Sequence, residues 1–325
     1  MQYLKNPSTD AHYNMAFDEY CLQQLSSDAP LFCLWQNAPA VIVGQNQNVY
    51  TEVNLPYLRQ HGIQLARRVT GGGAVYHDLQ NLNFTFVSPL HDLDTDVSCL
   101  LDHIVQALQQ LGVPATFSGR NDILVEEHKV GGTAKRVWHD RLMVHGTLMY
   151  DVDIPTLTEV LSTPQSKLTA KGIASVRSRV GNLRQWLPQC PNVQSFYHLL
   201  HKQLAGTDAE LVLDVHQLHA INQLAVEKFA TWQWNYGLSP LGTFTKQQHF
   251  ACGTIEVRLC VEKGILTDIR FGGDFLGNYS PTPLIAALTG TRFEHDALLA
   301  VLRQQPVNRF FDQLTNDQFL QFILS

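Results

Sequence analysis

The sequence predicts an α+β protein, with a large first domain built on a mixed or antiparallel sheet and a small α+β domain after it. Strand-like and helical segments alternate irregularly, and short turns join neighbouring strand-like segments, which disfavours a doubly wound parallel sheet. Near Gln247 the pattern changes to short strands and turns. The chain has 325 residues, 45% hydrophobic and 16% charged, which is enough for two domains with a sizeable core.

The first quarter of the chain predicts two helices and three strands. Apolar residues at helical spacing predict a helix from Asn14 to Leu25, and a short helix over Leu55–Gln60 is expected to end at Gly62. Apolar runs bounded by turn residues predict the strands Leu31–Trp35, Ala40–Gly44 and Ile63–Arg68. Because only a short turn separates the first two strands, we expect them to pair with each other.

The clearest helix is predicted from Val97 to Leu111. Its apolar residues form one stripe, and Gly112 follows where a helix stop is expected. The next strands are predicted at Ala115–Phe117, Ile123–Val125 and Leu142–Tyr150. A helix over Val215–Ala230 then leads to a Trp-rich segment, residues 232–237, which we interpret as a linker.

The small second domain is expected to consist of short strands followed by two helices. The strand-like runs lie within residues 253–259, 264–269 and 272–277, and the helices are predicted near Thr282–Leu288 and Glu294–Leu302. We therefore predict a first domain over residues 1–243 and a second over residues 247–325, about 80 residues long, which is a normal domain size.

Composition excludes several classes of protein. The net charge of −6 gives no reason to expect nucleic acid or an anionic membrane as a partner. No apolar run approaches the ~20 residues of a membrane helix, and the N-terminus lacks the apolar core of a signal peptide. The six cysteines are scattered without a C-x-x-C pair, which favours reduced thiols in the cytoplasm.

The segment from Arg67 to Phe86 carries the strongest local signal. Three successive glycines, Gly71–Gly73, leave main-chain N–H groups accessible, and Arg67 and Arg68 place positive charge beside them. This combination favours an anion cradle next to an apolar slot. The segment is neither a Walker A loop nor a dinucleotide fingerprint, because the required Lys-Ser/Thr and glycine spacing are absent. A glycine-rich turn with solvated arginines is the alternative on these residues alone.

A basic segment occupies the middle of this acidic chain. No Asp or Glu occurs from Leu161 to Thr207. Within this segment, Lys171–Arg179 is predicted to form a glycine-containing basic loop suited to closing over phosphate. An ordinary solvated basic face is the alternative.

Five motifs occur in a fixed order along the chain. They are Arg67-Arg68-Val69-Thr70-Gly71-Gly72-Gly73-Ala74-Val75-Tyr76-His77-Asp78, Gly119-Arg120-Asn121-Asp122, Lys129-Val130-Gly131-Gly132-Thr133-Ala134, His145-Gly146-Thr147-Leu148 and Lys171-Gly172-Ile173-Ala174-Ser175-Val176-Arg177-Ser178-Arg179. In this order they resemble the lipoate–protein ligases, the ATP-dependent enzymes of lipoate scavenging. The Trp-rich segment and Gly273-Asp274-Phe275 resemble that family's linker and small C-terminal domain, so the resemblance covers nearly the whole chain.

The resemblance implies a fold and a reaction. The first domain would have the biotin/lipoate ligase fold. The lipoate carboxylate would attack the α-phosphate of Mg-ATP, giving lipoyl-adenylate and pyrophosphate. A lysine on the lipoyl domain of a 2-oxoacid dehydrogenase E2 subunit, or on glycine cleavage H protein, would then accept the acyl group. ATP, Mg²⁺ and lipoate are the implied ligands. We expect a cytoplasmic monomer that binds neither nucleic acid nor membrane.

The resemblance also implies the site residues. Lys129 matches the invariant active-site lysine and is the expected catalytic residue, because a preorganised cation stabilises charge on phosphoryl and acyl oxygens. The ATP-binding residues implied are Arg68, Gly73, Ala74, Val75, Tyr76, Asn121, Asp122, Lys129 and Lys171. The lipoate-binding residues implied are Phe17, Trp35, Val75, His77, Lys129, Gly132 and His145, although Trp35 and both histidines could equally be core residues. No protein metal-ligand spacing is present, so Mg²⁺ is expected to arrive with ATP, near Asp122.

Three positions differ from the common family pattern. Gln45 stands where a basic residue is frequent, and Gly131 and Thr133 replace serines. These differences bear on the preferred acyl group rather than on the reaction class.

Three other functions are alternatives to a lipoate–protein ligase. The main alternative is an ATP-independent octanoyl or lipoyl transferase of the same fold, but no cysteine lies between Cys99 and Cys190 to act as its nucleophile. A biotin–protein ligase lacks support because its Gly-Arg-Gly-Arg loop is absent. A non-enzymatic lipoyl-domain binder would leave Arg68 and Lys129 unexplained.

Overall fold

The computed structural model describes residues 1–25, 27, 29–118, 121–161, 180–205 and 210–324. The predicted basic loop, including Lys171, lies outside the described residues, as do Gly119 and Arg120 of the second motif. The described chain forms two compact units. Unit 1 comprises residues 1–45 and 62–231, and unit 2 comprises residues 46–61 and 232–325.

The secondary structure is numbered along the chain. The strands of unit 1 are β1 (Gln2–Leu4), β2 (Leu31–Trp35), β3 (Ala40–Val43), β4 (Gln64–Arg67), β5 (Val75–His77), β6 (Asn81–Pro89), β7 (Ala115–Ser118), β8 (Asp122–Val125), β9 (His128–Trp138), β10 (Arg141–Met149) and β11 (Glu210–Leu211). Those of unit 2 are β12 (Gly242–Phe250), β13 (Gly253–Glu262) and β14 (Ile265–Gly273). The α-helices are α1 (Ala11–Gln23), α2 (Val49–Glu52), α3 (Leu55–His61), α4 (Leu93–Gln110), α5 (Ile154–Val160), α6 (Val193–Ala205), α7 (Val215–Leu224), α8 (Trp232–Asn235), α9 (Thr282–Leu288), α10 (His295–Gln304) and α11 (Asn316–Leu324).

The described strands of unit 1 form two sheets. The larger has the order β11-β1-β2-β6-β10-β9-β8-β7, with β1 parallel to both neighbours and all other pairs antiparallel. The smaller has the order β4-β3-β5, with β3 parallel to β4 and antiparallel to β5. The predicted mixed or antiparallel α+β fold is therefore confirmed. The predicted pairing of β2 with β3 is wrong, because the two strands belong to different sheets.

Strand β6 has two chemically different faces because successive side chains point to opposite sides of a sheet. Leu82, Phe84 and Phe86 face the main core, where α4 and α6 cover the sheet with mainly aliphatic side chains. Fully burying one such side chain stabilises the fold by about 1.5–3 kcal/mol. The alternate residues Asn81 and Asn83 are polar and are also buried. The second face of the sheet therefore presents polar groups to the interior.

The predicted helices are confirmed with shifted boundaries. Helix α4 begins four residues earlier than expected, because the Asp92 carboxylate accepts a hydrogen bond from Thr95 N and caps a first turn with no apolar stripe. Gly112 has φ +89°, as a glycine helix stop requires. Helix α7 continues directly into a π-helical segment, Ala225–Phe229.

Unit 2 is an α+β unit with its own core. Its antiparallel sheet β12-β13-β14 is packed by α9, α10 and α11, and the buried faces are mainly leucine, isoleucine, valine and phenylalanine. Helix α11 was not predicted. The predicted domain boundary at residues 243–247 falls inside β12, and unit 2 also takes the distant segment 46–61. Local patterns cannot reveal a unit built from two separated segments. Among the described residues, no helix has both the length and the apolar character needed to cross a membrane.

Candidate active site

A cavity of about 250 Å³ lies within unit 1. Residues of both sheets line it, together with Met15 from α1. From the smaller sheet come the glycine segment and β5, and from the larger sheet come β2, β6, β9 and β10. The cavity therefore forms where the polar face of β6 meets the predicted anion cradle.

The Arg68 guanidinium holds the glycine segment in shape. Its Nη2 donates to Gly71 O at 2.7 Å and to Gly73 O at 2.8 Å, and its Nη1 donates to Ile42 O at 3.1 Å. Burial lowers the pKa of Arg68 to about 10, so the group stays charged at neutral pH. Gly72 has φ +97°, and a Cβ there would lie 2.9 Å from Nη2, so any other residue is strained at this position.

Arg67 supports the same region from inside the core. It is fully buried, and its Nη1 donates to the carbonyl oxygens of Gly44 at 2.9 Å and Gln45 at 3.0 Å. Arg67 is therefore a structural residue, whereas the predicted cradle would use Arg68 and the main chain beyond it.

Lys129 lies in the cavity wall on β9, opposite the acidic residue Asp122. The Nζ–Oδ1 distance is 2.7 Å, and each side chain is 37% exposed. The pairing of β8 with β9 shifts register here, since Ile123 pairs with Gly131 but Leu124 pairs with Lys129. Such a bulge changes the direction of nearby side chains. A Cβ at Gly132 would lie 3.5 Å from Lys129 Nζ, so the missing side chain leaves space beside the ammonium.

A buried hydrogen-bond network connects α1, β10 and the glycine segment. His145 Nδ1 lies 2.8 Å from Asp18 Oδ2, and His145 Nε2 lies 2.8 Å from Thr70 Oγ1. Arg68 Nε donates to the same Thr70 oxygen at 3.0 Å. Asp18 is only 1% exposed and also accepts from Thr85 Oγ1 at 2.8 Å. With both ring nitrogens engaged, His145 supports Thr70 and Arg68 rather than offering a ring nitrogen to a ligand.

The two aromatic residues predicted to line an acyl slot have different positions. Trp35 lines the cavity from β2, and its Nε1 donates to Thr85 Oγ1 at 2.9 Å. Phe17 is buried but is not among the described residues that line the cavity. Met15, on the same helix, lines the cavity instead. Two residues along a helix correspond to about 200° of rotation, so Met15 and Phe17 occupy different faces.

His77 is buried in the cavity wall, close to Trp35. The ring centroids lie 6.3 Å apart in an edge-to-face arrangement. Burial, with the nearby Arg68 and His145 side chains, lowers the pKa of His77 to about 3, so the ring is neutral at neutral pH. Asn37 Nδ2 lies 3.0 Å from His77 Nδ1.

The structure brings most of the predicted site residues to one cavity. These are Trp35, Arg68, Gly73, Ala74, Val75, Tyr76, His77, Asn121, Lys129, Gly132 and His145. Asp122 reaches the same place through its ion pair with Lys129. Their roles toward ligands stay predictions. Sequence reasoning missed Asp18, Thr70, Asn81 and Asn83, and the polar alternation on β6 was the available signal for the last two.

None of the six cysteines, all of which lie in described residues, lines the cavity. Cys21, Cys33 and Cys190 are buried, and burial raises the pKa of each thiol. Cys99 is exposed on α4. Among the described residues, no group of three or more His, Cys, Asp or Glu side chains is placed to hold a metal ion.

Two family models match the chain. The lipoyl protein ligase A/B catalytic domain matches residues 10–205, and the bacterial lipoate protein ligase C-terminus matches residues 239–323. The chain belongs to the lipoate–protein ligase family. The predicted resemblance is therefore confirmed, and the protein is an enzyme of the ligase class.

Individual lipoate–protein ligases are similar over long stretches. Lipoate-protein ligase LplJ of Bacillus subtilis (strain 168) is 35% identical over 321 residues, which cover 97% of each chain. An archaeal bipartite lipoate protein ligase from Thermoplasma acidophilum, studied with its E2 lipoyl domain, superposes with a TM-score of 0.66 at 28% identity, covering 73% of this chain and 96% of its own. A lipoate-protein ligase A bound with ATP gives a TM-score of 0.64 at 26% identity, covering 73% and 98%. These structures confirm the predicted fold class.

Proposed function

We propose that this lipoate–protein ligase works in two steps. In the first, a lipoate carboxylate oxygen bonds to the α-phosphorus of ATP, and the bond from that phosphorus to pyrophosphate breaks. In the second, a lysine amine of an acceptor protein bonds to the acyl carbon, the acyl–phosphate bond breaks, AMP leaves, and the amine loses a proton. The acceptors are lipoyl domains of 2-oxoacid dehydrogenase E2 subunits and glycine cleavage H protein.

The observation that carries this proposal is the position of Lys129. Its ammonium lies in the wall of the cavity, with open space at Gly132. Negative charge develops on the phosphoryl oxygens in the first step and on the acyl oxygen in the second. A fixed ammonium in a partly buried site stabilises both without reorganisation. The Asp122 carboxylate holds the amine in place at 2.7 Å until a ligand oxygen competes for it.

The glycine segment suits the nucleotide. Residues 72–76 line the cavity beside the charged Arg68 guanidinium. Arg68 shapes the main chain of the segment, and this chain would contact the phosphates and the base. The related ligase bound with ATP supports assigning the same nucleotide here. Asp122 is the carboxylate available to a Mg²⁺ ion that arrives with ATP, where the metal would neutralise phosphate charge.

None of the six cysteines is suitably placed to act as the nucleophile of a transferase. A thioester mechanism needs an accessible thiolate of lowered pKa in the site. The cysteines lie away from the cavity, and burial raises the pKa of the three buried ones in unit 1. The six unpaired thiols support a reducing location, for which we propose the cytoplasm.

The first step is tested by ATP–pyrophosphate exchange with and without lipoate. Lys129→Ala should lower the lipoate-dependent exchange rate on the order of 10²–10³-fold, because it removes the charge that stabilises the transition state. Lys135→Ala is the matched control, since Lys135 is an exposed lysine on the same strand. Exchange that does not require lipoate, or an unaffected Lys129→Ala variant, contradicts the proposal.

The second step is tested with an E2 lipoyl domain and with H protein as acceptors. Intact mass spectrometry should show one added lipoyl group, dependent on ATP, and peptide mapping should place it on a lysine. An acyl group trapped on any of the six cysteines would instead indicate a transferase.

A further inference from the structure

A group of unpaired polar atoms lies at one end of the cavity. His77 Nε2, Asn81 Oδ1 and Asn83 Nδ2 are fully shielded from solvent and have no hydrogen-bond partner among the residues that the structure describes. All three residues line the cavity. Buried polar atoms are nearly always paired, so unpaired ones in a cavity wall need a partner from outside the chain, either a ligand group or a water. We call these residues the polar end of the cavity.

The hydrogen bonds behind His77 determine which of its nitrogens carries the proton. Asn14 Nδ2 lies 3.0 Å from the carbonyl oxygen of Gln36, which can only accept, so this end of the Asn14 amide is the donor. The same nitrogen donates to Asn37 Oδ1 at 2.7 Å. Asn37 therefore turns its Nδ2 toward His77 Nδ1. That ring nitrogen accepts, and the neutral imidazole carries its hydrogen on Nε2, the nitrogen that has no partner among the described residues.

The asparagine pair also leaves a donor, whichever way its amides are oriented. Asn81 Nδ2 donates to Asn83 Oδ1 at 2.8 Å, which leaves the Asn83 amino group free. Rotating both amides by half a turn preserves the bond and exchanges the free atoms between the two residues. In either arrangement the pair presents one amino group and one carbonyl oxygen.

The sheet register gives the distance from the polar end to Lys129. Trp35, Asn83, Thr147 and Gly132 are opposite one another on β2, β6, β10 and β9, and all four line the cavity. Adjacent strands lie about 4.8 Å apart, so Asn83 is about 10 Å from Gly132, the residue beside Lys129 Nζ. An extended eight-carbon acid is roughly 9 Å long, given carbon–carbon bonds of about 1.5 Å. An acid whose carboxylate lies at Lys129 therefore ends near Trp35, His77 and Asn83.

We propose that the polar end binds the sulfur atoms of the dithiolane ring and makes the enzyme prefer lipoate to a straight-chain acid of the same length. Divalent sulfur accepts weak hydrogen bonds, which the N–H groups of His77 and of the Asn81–Asn83 pair supply. It also makes favourable contacts with aromatic rings, here Trp35. The methyl end of octanoate offers no acceptor and leaves both donors unpaired. This inference rests on the proposed use of lipoate and identifies the residues that select it.

The first test needs only the wild-type protein. Isothermal titration would compare lipoate, octanoate and 5-cyclopentylpentanoate, which has a five-membered ring without sulfur. We expect lipoate to bind about fivefold or more tightly than both other acids, as weak bonds to sulfur allow. Equal affinity for lipoate and the cyclopentyl acid overturns the inference and leaves the proposed function intact. Binding of none of the acids, with no lipoate-dependent pyrophosphate exchange, overturns the proposed function as well.

The second test assigns the preference to residues. Asn83→Leu and His77→Phe each remove polar groups of the polar end but keep the branching of the side chain, and each should reduce the lipoate-to-octanoate ratio of kcat/KM about fivefold. Thr147→Val is the matched control, because Thr147 lies in the same row but nearer Lys129 and should affect both acids alike. Equal loss for both acids in Asn83→Leu and His77→Phe would mean a purely structural role and overturns the assignment.

Discussion

Asp18→Asn should weaken the fold and the anion cradle together, although Asp18 does not line the cavity. The Asp18 carboxylate accepts hydrogen bonds from Thr85 Oγ1 and His145 Nδ1 with both of its oxygens. An asparagine provides only one acceptor. If its amino group faces His145, the imidazole must carry its hydrogen on Nε2, and the Thr70 hydroxyl loses its acceptor. If the amino group faces Thr85, the Thr85 hydroxyl loses its acceptor instead.

Either arrangement leaves one buried hydroxyl unsatisfied, at a cost of about 1–3 kcal/mol. For a unit of this size we expect the Tm to fall by roughly 2–10 °C. Thr70 also accepts from Arg68 Nε at 3.0 Å, so a displaced Thr70 moves the guanidinium that shapes the glycine segment. Small displacements of binding groups are costly, so kcat/KM for ATP should fall about tenfold or more.

The measurements are thermal unfolding, chemical denaturation and ATP–pyrophosphate exchange, with Asp102→Asn as control. Asp102 is exposed on α4, so the same substitution should stay within about 0.5 kcal/mol of the wild type. If Asp18→Asn matches this control in both stability and kcat/KM, the network is not what supports the cradle.

Three further predictions follow from the same structure. Gly72→Ala should cost about 1–3 kcal/mol, because φ +97° and a Cβ 2.9 Å from Arg68 Nη2 are both unfavourable, whereas Gly71→Ala, with open space around its Cβ, should change the denaturation midpoint little. The pKa of His77 is about 3 when folded and near 6.5 when unfolded, so only the unfolded state takes up the proton as pH falls from 6.5 toward 3. The free energy of unfolding should therefore fall over this range by up to about 1.4 kcal/mol per pH unit. In His77→Phe the free energy of unfolding should depend less on pH, and equal pH dependence in the variant and the wild type would contradict the prediction. A cysteine-free variant should retain pyrophosphate exchange in its folded fraction, and complete loss there would point to a thiol in the chemistry.

Local patterns predicted the elements of this fold better than their partners. The apolar runs of β2 and β3 were recognisable, but a continuous apolar run contains no information about which strand lies beside it. The turn at residues 37–39 suggested a hairpin, whereas β3 pairs with β4 and β5 in another sheet. Parallel pairing with β4 requires a long connection, and residues 46–61 supply it within the other unit.

The site residues were likewise predictable from local motifs, whereas their contacts with distant residues were not. Lys129, Arg68 and the glycines lie in motifs and were found from them. Asp18 and His145 are 127 residues apart, and the sequence around neither residue predicts that the two side chains are in contact. The polar end was partly visible, because Asn81 and Asn83 alternate with apolar residues in a strand whose other face is core. Two buried amides on one face of such a strand are a signal that sequence reasoning can use.

The excursion of residues 46–61 has a mechanical consequence. The chain passes from one unit to the other after Gln45, after His61 and after Thr231, so three covalent tethers join the units instead of one. A body on a single tether can swivel freely, but three tethers leave only those rotation axes that all of them tolerate. One of these tethers follows β3 and another precedes β4, and the glycine segment connects β4 to β5 in the same sheet. A change in the backbone of residues 46–61 would thus be transmitted along the chain to the sheet that holds the cradle.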